Sequence, residues 1–467
     1  MDAGRESDPG RASEPINVAQ PDPGGEGLEH ETVRYFVFRA SFASTPGRSN
    51  MSLTVAGIDV HKKVLMVVVM DPQSPEQDID KVRFGTTVAE LRRLAAWLTE
   101  RCVAIVVMES TAQYWKPVWY ELEADFELHL AQAQSNRAPG GRKSDFADAR
   151  RLVRRYVAGE LFLSYVPDAE QRMWRMLTRG KLQLTRERVR LHNQVESLLE
   201  DCRIKLSSVV SDLLGASGLR ILWAMARGIT DPGELASLGD ARLRCSREVL
   251  VDALSGTLQS GHRLLLEQAL ERLGLVEKQM RELEQASAEQ MHAHQQALIR
   301  LAEIPGLGLE SAQQIVAEVG PAAAAFESAA RMASWVGVCP GRNESAEHNA
   351  SSHCAKGNKY LRRVLCQAAQ AAVKTKDSLL ECLFRRWKVR LGYAKAIWAV
   401  AHRLCRIIWK VLHDGVRYAG NSAGIDAKGQ RQKARRLVQA LKRLGYSVQL
   451  TPTHPNPPRA PGDVIFD

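Results

Sequence analysis

Residues 53–70, with the sequence LTVAGIDVHKKVLMVVVM, decide the fold of the first part of the chain. Two apolar arms rich in Val, Ile and Leu flank a polar centre at 59–63. Apolar runs that a short polar segment interrupts predict a strand, a turn and a second strand. In this interpretation Asp59 lies at the turn that follows the first strand.

The segments that follow alternate between strand and helix patterns. Residues 87–101 and 112–123 show apolar side chains at helical spacing, whereas 102–108 and 126–132 are short apolar runs. The run at 102–108, CVAIVVM, is typical of a buried parallel strand. Alternation of this kind predicts an α/β layer domain, which we place at residues 51–166.

A helical spacer is predicted over 167–300. Its two long helical stretches cover 168–204 and about 258–298. Lys181 and Arg188 occupy intermediate core positions of the first stretch, so the predicted coiled-coil seam is weak. A helical hairpin within one chain and a coiled coil between subunits both remain open. The seam is marked by leucines that recur every seven residues: Leu177, Leu184, Leu191 and Leu198.

Residues 303–320, EIPGLGLESAQQIVAEVG, open a mainly α-helical domain that we predict at 301–415. Gly306 and Gly308 form a tight turn, and a helix begins near Leu309. Backbone N–H groups at such a turn and helix start suit a phosphate. This pattern indicates a helix-hairpin-helix-like element that grips the DNA backbone. The alternative is an ordinary glycine turn between packed helices.

The end of the predicted α-helical domain combines basic and aromatic side chains. Residues 358–375 and 378–414 are predicted to be amphipathic helices, and the tail at 416–467 is first basic and then Pro-rich. Aromatic residues at helical spacing are core residues or base-stacking platforms, and the sequence leaves both open. The aromatics in question are Trp387, Tyr393, Trp398 and Trp409.

Length and charge indicate several domains and a nucleic-acid partner. A chain of 467 residues is too long for one ordinary domain. Residues 356–443 hold 22 Lys and Arg against four acids, a segment charge of about +18 in a chain whose net charge is +11. Such asymmetry suggests nucleic acid, although a solvated helix face is the alternative. Residues 1–50, rich in Gly, Pro, Ser and acids, are predicted to be a disordered extension.

Composition excludes some other classes. No stretch of about 18 consecutive apolar residues exists, so no membrane span is expected. The eight cysteines form no C-x-x-C pair, which argues against a zinc site or a redox dithiol. The N-terminus lacks the apolar core of a signal peptide. We therefore expect a cytoplasmic, nucleoid-associated protein without disulfides.

Four carboxylates stand out by position: Asp59, Glu109, Asp145 and Asp148. Glu109 ends the strand predicted at 102–108, and the two later aspartates are three apart, so they share one face of a helix. Active sites of open α/β sheets gather at the carboxyl ends of strands. Clustered carboxylates repel each other unless a cation is bound, and oxygen ligands suit Mg²⁺ or Mn²⁺. Two such ions support phosphodiester cleavage.

Three motifs resemble the DEDD domain of the insertion-sequence one-ten family of transposases. They are GIDVHKK at 57–63, MES at 108–110 and KSDFADA at 143–149. The resemblance implies an RNase-H/RuvC-like fold related to Holliday-junction resolvases. It also implies that Asp59, Glu109, Asp145 and Asp148 are the catalytic, metal-binding quartet.

The second half of the chain resembles the C-terminal transposase domain of the same family. In that family a serine after a W-x-G-x-x-P element is the nucleophile, and the matching residue here is Ser345. The resemblance rests on IPGLGLESAQQIVAEVG at 304–320, FES at 326–328, WVGVCPGRNES at 335–345 and KGNKYLRRVL at 356–365.

The segment around the serine departs from the family pattern, which has small glycines directly after the nucleophile. This chain instead has Ala346, Glu347 and His348, then two more serines. Ser351 and Ser352 therefore remain alternative positions for the nucleophile. The basic side chains that could neutralise phosphates nearby are Lys356, Lys359, Arg362 and Arg363.

The resemblance implies a DNA recombinase that moves its own element, guided by a structured RNA that bridges donor and target DNA. A dimer or tetramer is expected because four strands must be cut and joined. One alternative is a metal-dependent, structure-selective nuclease in which the serine is idle. Another is a nucleic-acid-binding protein without catalysis.

Overall fold

The computed structural model describes two large helical regions and a sheet domain. The predicted extension at 1–50 and nearly all of the predicted tail after 419 lie outside the described residues. So does Ser352. The described residues are 54–74, 77–109, 112–136, 145–341, 343–345, 348–351, 354, 356–376, 378–419, 435 and 438–439.

The first domain is a six-stranded mixed sheet, as the alternation of strand and helix patterns predicted. The strand order is β3-β2-β1-β4-β5-β6, in which β1, β4 and β5 are parallel and the other pairings are antiparallel. This mixed α/β sheet is the arrangement of an RNase-H-like fold. The strands are β1 Thr54–Val60, β2 Val64–Met70, β3 Asp78–Gly85, β4 Val103–Glu109, β5 Glu127–Ala131 and β6 Leu163–Ser164.

Helices cover both faces of this sheet. The helices α1 (Val88–Glu100) and α2 (Trp115–Leu122) lie on one face, and α3 (Asp145–Val157) lies on the other. Strands that are buried on both faces carry near-continuous apolar runs, which is why β1 and β4 have almost no polar residues before their ends.

A glycine sets how closely α3 approaches the sheet. A Cβ atom at Gly57, in the middle of β1, would lie 2.3 Å from the carbonyl oxygen of Ala149 and 2.8 Å from a methyl group of Val153. Only hydrogen fits in this space, so the backbones of β1 and α3 touch directly. The part of α3 around Ala149 and Val153 is thereby held against the middle of β1.

The predicted helical spacer contains an antiparallel pair within the chain. The helices α4 (Ala169–Asp201) and α9 (Ser260–Gln290) are joined by ion pairs, including Arg188–Glu277 at 3.1 Å and Lys181–Glu284 at 3.2 Å. The four short helices between them are α5 Leu206–Val209, α6 Ala216–Ala226, α7 Pro232–Ser237 and α8 Arg247–Ala253.

The C-terminal region is helical, with one small hairpin. The predicted helix at 378–414 is wrong as a single helix, because Gly392 adopts a φ of +76° and ends α14 before α15 begins. The elements are α10 Gln295–Ala302, α11 Leu309–Val319, α12 Ala329–Val336, β7 Asn343–Ser345, β8 His348–Ser351, α13 Lys359–Ala372, α14 Leu379–Leu391 and α15 Tyr393–His413.

Helix α4 takes part in two hydrophobic cores. Trp174, near its start, is buried in the core of the C-terminal region, whereas Leu191 and Val195, further along, are buried in the spacer core. Among the described residues, no helix combines the length and the apolar composition that crossing a bilayer requires.

We expect Gly57→Ala to destabilise the sheet domain by about 1–3 kcal/mol or more, because an added methyl group overpacks a contact between two backbones. The matched control is Gly274→Ala in α9, where a Cβ meets no atom within 4 Å. That change should be neutral or stabilising by up to about 1 kcal/mol. Calorimetric melting of the purified full chain measures both, and equal melting curves would contradict the close-contact role of Gly57.

Candidate active site

Two of the predicted carboxylates lie side by side at the carboxyl edge of the sheet. In the parallel pairing of β1 with β4, Ile58 is opposite Met108, so Asp59 and Glu109 follow as the next neighbours. Ile58 and Met108 point into the core on one face, and the two carboxylates therefore point to the other face, where α3 lies. The sequence pattern predicted that Asp59 lies in the turn after the first strand. That prediction is wrong, because Asp59 is the penultimate residue of β1.

Each of these carboxylates has a polar neighbour. Asp59 is buried, and its Oδ2 lies 3.1 Å from Nε2 of the exposed His61. Glu109 Oε2 accepts a hydrogen bond of 2.9 Å from Nδ2 of Asn136, a buried residue in the 3₁₀ turn after β5. The other amide atom, Asn136 Oδ1, is buried and has no hydrogen-bond partner among the described residues.

The structure places the other two predicted carboxylates on the first turn of α3. Asp145 begins this helix, and its side chain lies outside the described part of the chain. Asp148 is partly exposed and pairs with Arg151, whose Nε donates to the carbonyl oxygen of Asn136 at 3.1 Å. A chain of polar contacts therefore runs from Glu109 through Asn136 and Arg151 to Asp148.

A second anchor holds α3 against the sheet. Arg150 donates from Nε to Asp78 Oδ1 of β3 at 2.7 Å. This hydrogen bond holds the pKa of the Asp78 carboxyl below its usual value, so the pair stays charged across the neutral range. The anchor lies one turn beyond Asp145 and fixes the orientation of the helix that carries two of the acids.

The oxygen groups at this edge suit a hard divalent cation. Asp59, Glu109 and the unpartnered Oδ1 of Asn136 supply donors of the type that Mg²⁺ prefers. Among the side chains that the structure describes, no three His, Cys, Asp or Glu residues converge into a metal site. The described geometry therefore brings two of the four predicted ligands together, and it links a third, Asp148, to Glu109 only through Arg151 and Asn136.

The predicted nucleophile lies at the turn of a small hairpin. Ser345 ends β7 and pairs with His348 of β8, while Ser351 pairs with Asn343 at the other end of the same hairpin. The two serines therefore occupy opposite ends of one element. The side chains of this hairpin lie outside the described part of the structure.

The predicted phosphate-binding residues divide into two groups. Lys356 and Lys359 are exposed, whereas the next two arginines are engaged within the protein. Arg362 donates to the carbonyl oxygen of Gly337 at 2.9 Å and lies over the ring of Trp398. Arg363 donates to Gln314 Oε1 at 2.7 Å.

The glycine turn predicted to hold a phosphate has a clear packing role. Gly306 has a φ of +85°, and a Cβ there would lie 2.3 Å from the carbonyl oxygen of Ala368 in α13. Gly308, by contrast, has open space around its Cα and precedes the first residue of α11. The turn therefore seats α13 on one side and leaves the start of α11 accessible on the other.

The aromatic residues of the basic region contribute to the core. Trp387, Trp398 and Trp409 pack against the C-terminal hydrophobic cluster, and Trp409 Nε1 donates to the carbonyl oxygen of Phe326 at 2.9 Å. Tyr393 is exposed. Of the two interpretations that the sequence left open, the three tryptophans follow the core interpretation.

The strand order and the acidic carboxyl edge define the class of the first domain as RNase-H-like. Comparison with known families is more specific. Residues 56–204 match the DEDD-type transposase model of IS110 elements, and residues 299–382 match the model described as transposase of the IS116/IS110/IS902 family. A probable family 20 transposase of Pseudomonas aeruginosa is 24% identical over 381 residues, which cover 78% of this chain and 97% of the relative.

The chain belongs to the IS110 family of transposases. Membership confirms the resemblance that the motifs at both ends of the chain carry. It makes DNA transposition the activity that the comparisons support, and DNA the class of substrate.

Several polar residues of the site were missed from the sequence. His61 lies within the polar centre at 59–63. Its position two residues after Asp59 was the signal that could have identified it as a site residue. Asn136 follows β5 at the carboxyl edge, where the rule for open sheets predicts site residues. Arg151 could be identified only once α3 was known to be a helix, because residues three apart on a helix, such as Asp148 and Arg151, can form an ion pair.

We expect Asn136→Asp to test the cation site directly. The change is isosteric and places a second carboxylate against Glu109, so repulsion should lower the melting temperature in EDTA. Added Mg²⁺ should raise the melting temperature of Asn136→Asp by more than it raises that of the wild type. Thermal melting with and without Mg²⁺ measures both effects.

Asn193→Asp, at an exposed position on α4, is the control for an added surface charge. It should change the melting temperature little, and equally in EDTA and in Mg²⁺. If Asn136→Asp lowers the melting temperature by the same amount with and without Mg²⁺, no cation binds beside Glu109.

Proposed function

We propose that this chain is a transposase that cuts and rejoins DNA strands with a carboxylate metal site and a serine nucleophile. The observation that carries the proposal is the pairing of Asp59 with Glu109 at the carboxyl edge of β1 and β4, together with the polar contacts that run from Glu109 through Asn136 and Arg151 to Asp148. Asp148 lies in the first turn of α3, which begins at Asp145. We propose that the four acids, which belong to β1, β4 and α3, meet at this edge of the sheet.

Mg²⁺, or Mn²⁺ in its place, would be held by Asp59, Glu109, Asp145 and Asp148. A bound divalent cation would stabilise negative charge on the phosphate oxygens. The protein itself contributes the orientation of these acids. Asn136 holds the Glu109 carboxylate by its Nδ2 donor, and Arg151 holds Asp148, so both acids are oriented before nucleic acid arrives.

Ser345 is the proposed nucleophile for strand transfer. Its Oγ would attack the phosphorus of a phosphodiester, forming a new P–O bond while the bond to one deoxyribose oxygen breaks. The hydroxyl proton leaves to a base, and the departing deoxyribose oxygen takes up a proton. The covalent phosphoserine conserves the bond energy for rejoining. Support for this role comes from the match of Ser345 to the family's serine after the W-x-G-x-x-P element.

Nucleic acid is proposed to contact the exposed cations at the start of α13. Lys356 and Lys359 are free to approach a phosphate backbone, whereas Arg362 and Arg363 are already engaged in holding the fold. The proposed partners are donor DNA, target DNA and a structured guide RNA encoded by the element. Backbone contacts without base reading leave sequence recognition to the RNA. A dimer or tetramer would supply the active sites for four strands.

We expect wild-type protein, incubated with Mg²⁺, element DNA and the RNA transcribed from the element ends, to form a covalent protein–DNA species. Ser345→Ala should abolish this species, because the attacking oxygen is gone. Asp59→Asn should reduce recombination by at least a hundredfold, because a metal ligand is lost. Denaturing gels detect the covalent species, and product sequencing measures recombination.

The alternative serines supply the matched control for Ser345. Ser351→Ala should leave the covalent species intact, since Ser351 lies at the opposite end of the hairpin. A covalent species that persists in Ser345→Ala and disappears in Ser351→Ala would move the nucleophile to Ser351. Metal-dependent cleavage without any covalent species would favour a junction-resolving nuclease.

We expect the double change Lys356→Ala and Lys359→Ala to weaken binding of any DNA duplex and to reduce the slope of log affinity against log salt by about 2. Arg362→Gln should instead lower thermal stability, because its contacts with Gly337 and Trp398 are internal. Fluorescence anisotropy across a salt series separates these effects.

The charge-matched control removes Arg242 and Arg244, two exposed residues of the spacer. An equal loss of affinity and of salt slope in this control would show that only net charge matters. The start of α13 would then be no specific nucleic-acid contact.

A further inference from the structure

A carboxylate is buried where three elements of the chain meet. Glu318, near the end of α11, is 2% exposed. Arg179 of α4 donates to it twice, from Nε to Oε1 and from Nη2 to Oε2, each at 2.8 Å. Asn358 donates from Nδ2 to Oε2 at 2.7 Å, and Arg175 Nε lies 3.6 Å away. A buried charge is tolerated only with such compensation.

The contacts of Asn358 connect Glu318 to the segment that carries Ser345. Asn358 Oδ1 caps α13, and its backbone N–H donates to the carbonyl oxygen of Trp335 at 3.3 Å. A Cβ at Gly357 would lie 2.1 Å from the carbonyl oxygen of Val336. The backbone at 335–336, before the β7–β8 hairpin, and the backbone at 357–358, after it, are therefore held in direct contact.

The contacts of α4 connect Glu318 to the carboxylate domain. Arg172, Arg175 and Arg179 lie on one face of α4, at spacings of three and four residues. Arg172 donates to both carboxylate oxygens of Glu123, the residue that caps α2 in the sheet domain, at 2.5 and 2.8 Å. The same row of arginines thus binds the sheet domain at one end and Glu318 at the other.

Further contacts make this junction rigid. Arg175 donates to the carbonyl oxygens of Ala317 and Glu318, where a cation suits the negative end of α11. The Arg179 guanidinium lies 4.2 Å from the ring centre of Tyr360. Burial and the nearby charge of Arg179 lower the pKa of Lys116, which lies in the first turn of α2 after Glu109.

We propose that Glu318 is a positioning residue for Ser345: through Asn358 it sets the base of the serine hairpin, and through Arg179 it ties that base to the helix that leaves the carboxylate domain. The inference rests on the proposed serine step. Glu318 itself is buried and touches neither DNA nor the reacting atoms. Its role is to hold the hairpin in one orientation, since small misplacements of a reacting group cost large factors in rate.

The first measurement needs no DNA and is therefore independent of the proposed reaction. Hydrogen exchange followed by mass spectrometry on the full chain reports the protection of amides at 335–345 and 356–361. Glu318→Gln keeps the shape of the side chain but removes its charge. It should raise exchange in these two segments and leave the sheet domain unchanged.

The second measurement is formation of the covalent protein–DNA species, with a random 30-base-pair duplex as the probe of DNA binding. Glu318→Gln should slow covalent capture by a factor on the order of 10 to 100 while affinity for the duplex stays the same. Asn358→Asp should have a similar effect, because it sets two carboxylates against each other. The double variant Glu318→Gln, Asn358→Asp places the amide on residue 318 and the carboxylate on residue 358. The hydrogen bond between the two side chains is then possible again, with the direction reversed. This variant should recover most of the rate of covalent capture.

The matched control is Glu277→Gln, which breaks an ion pair that α4 makes with α9, on the spacer side. It should change neither hairpin exchange nor covalent capture. Hairpin exchange equal to wild type in Glu318→Gln, or exchange raised evenly over the whole chain, would overturn the positioning role. A wild-type chain that forms no covalent species would refute the serine step, whereas the exchange measurement would still decide what Glu318 holds.

Discussion

The ion pair between Arg179 and the buried Glu318 is the interaction on which the arrangement of the two halves depends. Apolar contacts such as those of Trp174 bring α4 against the C-terminal core but do not specify one orientation. A bidentate guanidinium–carboxylate pair does, because its two hydrogen bonds fix both distance and angle. Helix α4 carries both Arg179 and Arg172, so the contacts with Glu318 and with Glu123 of the sheet domain are made from one helix.

At the carboxyl edge of the sheet, specific contacts also fix the positions of charged side chains. Gly57 allows α3 to touch β1 at Ala149 and Val153. Asp59 and Glu109 are neighbours at the carboxyl edge, and like charges at that spacing repel each other. Each described acid of this edge and of α3 has a polar contact: Asp59 with His61, Glu109 with Asn136, and Asp148 with Arg151. Contacts within the protein thus hold these three acids in place.

Charge counted along the sequence exaggerates the surface that is available to nucleic acid. Part of the basic segment stabilises the fold instead. Arg362 donates to the backbone carbonyl of Gly337 at 2.9 Å, and Arg363 donates to Gln314 at 2.7 Å. The excess of cations over acids is real, but which of them face solvent depends on helix packing. Lys356 and Lys359 do so because they precede and begin α13.

The sequence by itself determined the strand–turn–strand at 53–70, the α/β alternation, the long helices and the family, because these depend on local periodicity and short motifs. It also identified Glu109 as a strand-end acid, whereas it placed Asp59 in the turn that follows β1, and the structure places Asp59 within β1. Only the tertiary structure decided which distant residues meet them. Glu318 carries no local signal, the partner of Asn136 is distant in the chain, and the break at Gly392 divides a continuous helical pattern. Such features depend on contacts between residues far apart in the chain, whose burial and register no local pattern encodes.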